Sequence, residues 1–256
     1  MMNAANRPFE LTNIYYDLLY RDKPYQQEAN YISNLLQYYS PNAHQILELG
    51  SGTGNYSTYL SLLGYTITGI ERDEEMNKIA RSKLIPNFTP ITNNIVSFEL
   101  QLTCDAVVAL FHVISYLTTN NELISCFKQV AKHLKPGGIF IFDVWYTPAV
   151  YTQVLQPRIK QVDNQTFFIT RKAYPTINYV NNTVQVDYDI SINNPKKDTF
   201  FTMKESHTMR HFSTCEIELV AAAGNFKLLA AQEFLTAKEP GKDTWGVCYI
   251  LKKEDE

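Results

Sequence analysis

The stretch Gln45-Ile46-Leu47-Glu48-Leu49-Gly50-Ser51-Gly52-Thr53-Gly54 decides the architecture of this 256-residue chain. An apolar run leading into three glycines at alternate positions describes a buried strand that turns sharply into a helix. Glycine takes positive φ and has no Cβ, so backbone there can approach a ligand closely. The first amides of the following helix point into the same crevice. Adenosine-bearing cofactors bind at such turns. The dinucleotide fingerprint G-x-G-x-x-G needs a glycine at position 55, where this chain has Asn55. The G-x-G-x-G spacing therefore points away from nicotinamide dinucleotides.

Some twenty residues on, Tyr65-Thr66-Ile67-Thr68-Gly69-Ile70 reads as a second strand that ends at Glu71. A carboxylate at that tip accepts hydrogen bonds from ribose hydroxyls and disfavours a 2′-phosphate. The competing account makes Glu71 part of the charged run Arg72-Asp73-Glu74-Glu75, a solvated acidic start to the next helix. Met76, one turn further, is placed to pack on an adenine or in the core.

With these residues the chain resembles the class I S-adenosylmethionine-dependent methyltransferases, whose hallmark is E/D-x-G-x-G-x-G after the first strand and an acid after the second. The family carries an acid after its third strand that holds the adenine amine; Thr92-Asn93-Asn94-Ile95 occupies that place, and Asn94 keeps an acceptor oxygen without the charge. Cys104 to Phe111 reads as the central fourth strand, leading into His112-Val113-Ile114-Ser115-Tyr116. Leu134-Lys135-Pro136-Gly137-Gly138 reads as a helix stop feeding a fifth strand, Ile139 to Trp145. Phe226–Leu235 and Thr244–Lys253 resemble the antiparallel sixth and seventh strands of the family. The resemblance implies a Rossmann-like α/β fold with a seven-stranded sheet. It also implies a cofactor site of Tyr25, Glu48, Gly50, Gly52, Gly54, Glu71, Met76, Asn94, Ile95 and Leu110.

Composition sets bounds. With 45% apolar residues the chain is long enough for one substantial core plus a subdomain. A net charge of −3 and a pI near 6.0 offer no basic surface for nucleic acid. No apolar run reaches the length of a membrane span and no basic-then-apolar leader opens the chain, so a cytoplasmic protein without a membrane partner is expected. Cys104, Cys126, Cys215 and Cys248 lack C-x-x-C spacing and sit in apolar segments, which predicts four buried free thiols and no metal site. His44 and His133 are expected at the surface.

Three regions follow: an N-terminal helical cover (1–40), a cofactor-binding core (41–145 and 213–256), and an insertion (146–212). The insertion alternates apolar and polar residues over Gln165–Tyr174, Thr183–Ile192 and Phe201–Phe212, broken at Pro175 with Asn178 and again at 193–198, which predicts a three-stranded antiparallel meander. Lying after the fifth strand, it is expected to cover the acceptor; a flap for homodimerisation is the alternative. In the N-terminal cover, Tyr16 and Tyr20 fall on one helical face. The family resemblance implies a tyrosine from this region, Tyr16 or Tyr25, at the methionine moiety or the acceptor.

Methyl transfer from a sulfonium is an in-line displacement that needs positioning and, for an ammonium acceptor, removal of a proton. His112, directly after the fourth strand, is the candidate base, with Tyr16 as second catalytic residue. Tyr116, Trp145, His207 and Arg210 are candidate acceptor contacts. The function this predicts is transfer of a methyl group to nitrogen or oxygen of a small polar metabolite, with amino-sugar N-methyltransferases the branch most resembled. The alternatives are a protein or RNA methyltransferase and a non-enzymatic S-adenosylmethionine-binding module. The first is disfavoured by the absence of an Asn/Asp-Pro-Pro-Tyr/Phe motif after the fourth strand.

Overall fold

All three glycines of the first turn stand at positive φ, 66° at Gly50, 54° at Gly52 and 78° at Gly54, in the computed structural model, which describes residues 15–254. The turn joins β1 (Gln45–Leu49) to α2 (Asn55–Leu62). After α1 (Tyr25–Tyr39), the chain runs β1, α2, β2 (Thr66–Glu71), α3 (Glu74–Ser82), β3 (Phe88–Thr92), β4 (Cys104–Ala109), a 3-10 turn (Val113–Tyr116), α4 (Asn120–His133) and β5 (Leu134–Trp145). A short α5 (Thr147–Thr152) follows. The chain later returns through α6 (Thr214–Ala223), β10 (Phe226–Glu233) and β11 (Gly246–Lys253).

Seven strands form one sheet in the order β10-β11-β5-β4-β1-β2-β3. β1 to β5 are parallel, and β11 opposes both β5 and β10, so of the two tail strands only β11 runs against the parallel set. Strands β1, β4 and β5 are buried almost throughout, as apolar runs flanked on both faces must be. One face packs on α4 and α6, where Phe127 sets its ring against Phe140, Phe142 and Phe226 at centroid distances of 5.4 to 6.1 Å. Truncating Phe127 to Ala there costs about 3–5 kcal/mol. α4 starts with a capping box between Thr119 and Glu122, and α6 with one between Ser213 and Glu216. α4 stops at Leu134 as expected, but β5 begins there too: Cys104 pairs with Leu134 and Ala106 with Ile139, so Pro136-Gly137-Gly138 bulges out of an already extended strand.

The described residues gather into two units. One comprises Pro24–Gln153 with the residues from Arg210 onward; the other comprises the described residues up to Lys23 with Val154–Met209. Thus α1, expected in the N-terminal cover, belongs with the seven-stranded sheet, and residues 1–14 of that cover lie outside the described residues.

The second unit holds four strands, β6 (Arg158–Asp163), β7 (Phe168–Asn178), β8 (Thr183–Asn194) and β9 (Thr199–Arg210), in that order across the sheet. The expected three-stranded meander is therefore four-stranded, with β6 added. Residues 15–19 are helical, and Tyr15 and Leu19 bury against Val162, Ile169, Ile190 and Ile192. Pro175 does not break the second unit's sheet. β6 pairs with β7 only as far as Ala173, so beyond it β7 is an edge strand and tolerates a residue without an amide hydrogen.

Two smaller expectations also fail. Cys215 is exposed, because it sits in the first turn of α6 and the apolar stripe of that helix faces elsewhere. His133 is buried: its Nδ1 lies 2.8 Å from the Gln129 carbonyl, and its Nε2 accepts the Leu100 amide at 3.0 Å, a pairing of both ring nitrogens that lets an imidazole leave water.

Candidate functional site

Glu71 closes the first turn. Its Oε2 accepts the Gly52 amide at 3.0 Å and its Oε1 the Asp73 amide at 2.9 Å. Burial holds its carboxyl above the usual carboxylate range, against the pull of those two donors. The acidic helix start is a separate device: Asp73 caps α3, accepting from Glu75 and Met76. So Glu71 is not a solvated helix-start acid. Each of its oxygens keeps a lone pair for a further donor.

The turn's amides are largely engaged. Ser51 donates to the Ile70 carbonyl at 3.0 Å, Gly52 to Glu71, and Gly54 to the Ser51 carbonyl at 2.9 Å. With those donors taken and a carboxylate in the turn, the site fits a neutral adenosine group better than a pyrophosphate. Glu48 lies beneath the turn, its carboxylate accepting from the Ser57 hydroxyl of α2. Burial pushes its carboxyl up to about 7.

The carboxyl ends of the parallel strands bring the other predicted residues to this edge. Asn94 follows β3 and is exposed; its side-chain oxygen accepts the Val96 amide at 3.1 Å. Ile95 packs partly into the core, Met76 is half-buried, and Leu110 is buried beyond β4. Tyr25, in the first turn of α1, sets its ring edge-on to Tyr56 at 5.0 Å. Tyr56 donates in turn to buried Glu28, and burial with that carboxylate raises the phenol pKa well above normal.

After β4 the chain takes two consecutive non-glycine residues at positive φ, Phe111 at 65° and His112 at 62°. Each costs about 1–2 kcal/mol and persists only when its surroundings impose it. Two contacts do. Val113 packs so tightly on Gly50 that a Cβ there would lie 2.5 Å from its Cγ2, and the His112 amide donates to Asp143 Oδ1 at 3.3 Å. The imidazole Nδ1 lies 2.7 Å from Asp143 Oδ2, at angles outside hydrogen-bond geometry. Trp145 ends β5 on the same strand face as Asp143, its ring 5.9 Å from that of His112 and 5.7 Å from Trp245. Tyr116, at the end of the 3-10 turn, is exposed.

Asp143 is the residue that sequence reasoning missed. Its signal is a lone carboxylate in the buried run Ile139 to Val144, where burial of an unpaired charge is costly. Two predicted residues lie in the other unit. Tyr16 sets its ring 5.0 Å from that of Tyr20 at a 60° tilt, as the i, i+4 spacing implies, and His207 Nε2 lies 3.3 Å from Glu205, whose other oxygen accepts from Tyr15 at 2.6 Å. Arg210, which belongs to the unit of the seven-stranded sheet, is engaged structurally there: it donates to Asn120 and Glu216, each at 2.8 Å. Among the described residues no cluster of three or more His, Cys, Asp or Glu could hold a metal ion, and no helix is long and apolar enough to cross a membrane.

Residues 46–138 match a family model described as a methyltransferase domain. Over 138 residues the chain is 33% identical to dTDP-3-amino-3,4,6-trideoxy-alpha-D-glucopyranose N,N-dimethyltransferase of Streptomyces venezuelae, covering 53% of this chain and 58% of that relative. The match thus spans little more than half of that relative's length. A putative methyltransferase of Bacillus subtilis (strain 168), YqeM, is 29% identical over 244 residues, 93% of this chain and 94% of its own. Among solved structures, DesVI of Streptomyces venezuelae superposes with a TM-score of 0.80 at 21% identity over the full length of both chains.

Proposed function

We propose that the chain is a class I S-adenosylmethionine-dependent methyltransferase and that it methylates a nitrogen of a small polar metabolite, with an amino sugar as the acceptor class. The observation that carries the cofactor assignment is the Glu71 carboxylate seated on the Gly52 amide with both oxygens able to accept again. Glu71 would take the two ribose hydroxyls, Gly50, Gly52 and Gly54 would let the backbone close on the adenosine, and Asn94 would accept from the adenine amine. Met76, Ile95 and Leu110 would flank the base. Bound there, S-adenosylmethionine supplies an electrophilic sulfonium methyl.

The chain's own share of the chemistry is positioning and proton removal. An amine attacks only through a free lone pair, so an ammonium acceptor must first lose a proton. His112, at the carboxyl edge beyond β4, is the group we assign to take it. Trp145 and Tyr116 would wall the acceptor. Acceptor choice is assigned to the 146–212 insertion, which leaves the sheet at that same edge through Trp145. The amino-sugar class draws its support from the Streptomyces venezuelae relative. A net charge of −3 supplies no attraction for a polyanion.

The test is transfer of labelled methyl from S-adenosylmethionine to amino sugars free and nucleotide-linked, simple amines, tRNA and protein. Label in amino sugars is expected; label chiefly in tRNA or protein overturns the small-molecule reading. In the same assay His112→Gln should lower kcat by about 100-fold or more while leaving affinity for S-adenosylhomocysteine nearly unchanged.

A further inference from the structure

We propose that Asp143 is the positioning residue for His112, fixing both its aim and its tautomer; the proposal rests on reading His112 as the proton acceptor. Asp143 meets His112 twice. Oδ1 takes the backbone amide at 3.3 Å, and Oδ2 stands 2.7 Å from Nδ1. The first contact helps impose the left-handed backbone at His112, a conformation that a β-substituted residue does not adopt without such restraint. The second sets Nδ1, and not Nε2, against the carboxylate.

Burial gives the arrangement its force. The Asp143 side chain is 3% exposed and that of His112 20%. A carboxylate so placed has no water to satisfy it and calls for a proton donor. Nδ1–H is the donor at hand, so the neutral ring carries its hydrogen on Nδ1 and its lone pair on Nε2. The opposite tautomer would set a lone pair against the carboxylate. In turnover, Nε2 takes the proton from the acceptor ammonium, the N–H electron pair stays on the amine as its nucleophilic lone pair, and the resulting imidazolium keeps Nδ1–H directed at Asp143. Phe111 and Trp145 lie against the ring at centroid distances of 5.9 Å each, and a Cβ on Gly246 would stand 3.7 Å from its Cε1. The imidazole is thus held by packing on its sides and by Asp143 behind.

The decisive measurement is the 15N shift of the His112 ring nitrogens in histidine-labelled protein bound to S-adenosylhomocysteine. A pyrrole-type Nδ1 and a pyridine-type Nε2 are expected in the wild type; the reverse assignment overturns the proposal without any variant. Asp143→Asn keeps the volume but offers an amide that can donate to Nδ1, so it should mix the tautomers and cut kcat by at least about tenfold, with KM for the acceptor and S-adenosylhomocysteine affinity within about twofold. Combined with His112→Gln it should add almost nothing, since both changes remove one device. Full activity in Asp143→Asn beside an impaired His112→Gln would sink the positioning role and leave the base intact. Full activity in both would show that His112 is no base, which removes the premise as well.

Discussion

At Glu71 two backbone amides converge on one carboxylate, so the side chain that closes the glycine turn keeps a lone pair on each oxygen, the basis of the ribose role proposed for it. Hydrogen bonds to a charged acceptor contribute about 1.5–3 kcal/mol each. Glu71→Ala should therefore weaken S-adenosylhomocysteine binding by at least about tenfold in calorimetry, and unchanged affinity would refute the ribose role. Asn94 makes a finer test. Its oxygen already accepts the Val96 amide, and a carboxylate can serve that turn equally well. Asn94→Asp is expected to hold or improve cofactor affinity, because a charged acceptor strengthens a bond to the adenine amine. A large loss would mean that Asn94 acts through its amide hydrogens.

Elements were legible where chain chemistry alone dictates them. Gly50, Gly52 and Gly54 needed no tertiary information: their spacing requires left-handed backbone, and all three adopt it. Gly54→Ala would combine that strain with a Cβ 2.8 Å from Ile85 Cδ1, and we expect a loss of stability of about 1–3 kcal/mol in urea unfolding together with weakened cofactor binding. An undisturbed variant would show that the turn can relax. Strand β6 was not legible, because Arg158-Ile159-Lys160-Gln161-Val162-Asp163 has no apolar alternation; Lys160 shares its face with buried Val162, its ammonium 5.6 Å from the Tyr20 ring. Pro175 misled for a related reason, since whether a strand accepts proline depends on which neighbour it lacks. Asp143 was hidden likewise: a buried carboxylate has meaning only beside its partner, and His112 is 31 residues away.

For the folded chain as a whole, two buried titratable groups of the seven-stranded unit pull stability in opposite directions with pH. Glu48 has its carboxyl raised to about 7, from 4.5, chiefly by burial, so between those values the native state binds more protons than the unfolded chain and stability falls as pH rises. His211, buried with Nδ1 2.9 Å from the Thr147 hydroxyl, is pushed down to about 4 by burial. Here the unfolded chain binds more protons between about 4 and 6.5, so stability rises with pH. Below about pH 6.5 the two slopes offset each other; from there to about 7 only that of Glu48 remains. Glu48→Gln retains an acceptor for Ser57 and removes the titration. Relative to wild type it should gain stability steadily from pH 4.5 to 7 and then level off, at roughly 3 kcal/mol given about 1.4 kcal/mol per pKa unit. Urea midpoints taken at half-unit steps of pH would show it. A difference that stays flat across that range would mean Glu48 is ionised in the native protein throughout, and that the glycine turn rests on a buried charge stabilised by more than the Ser57 hydroxyl.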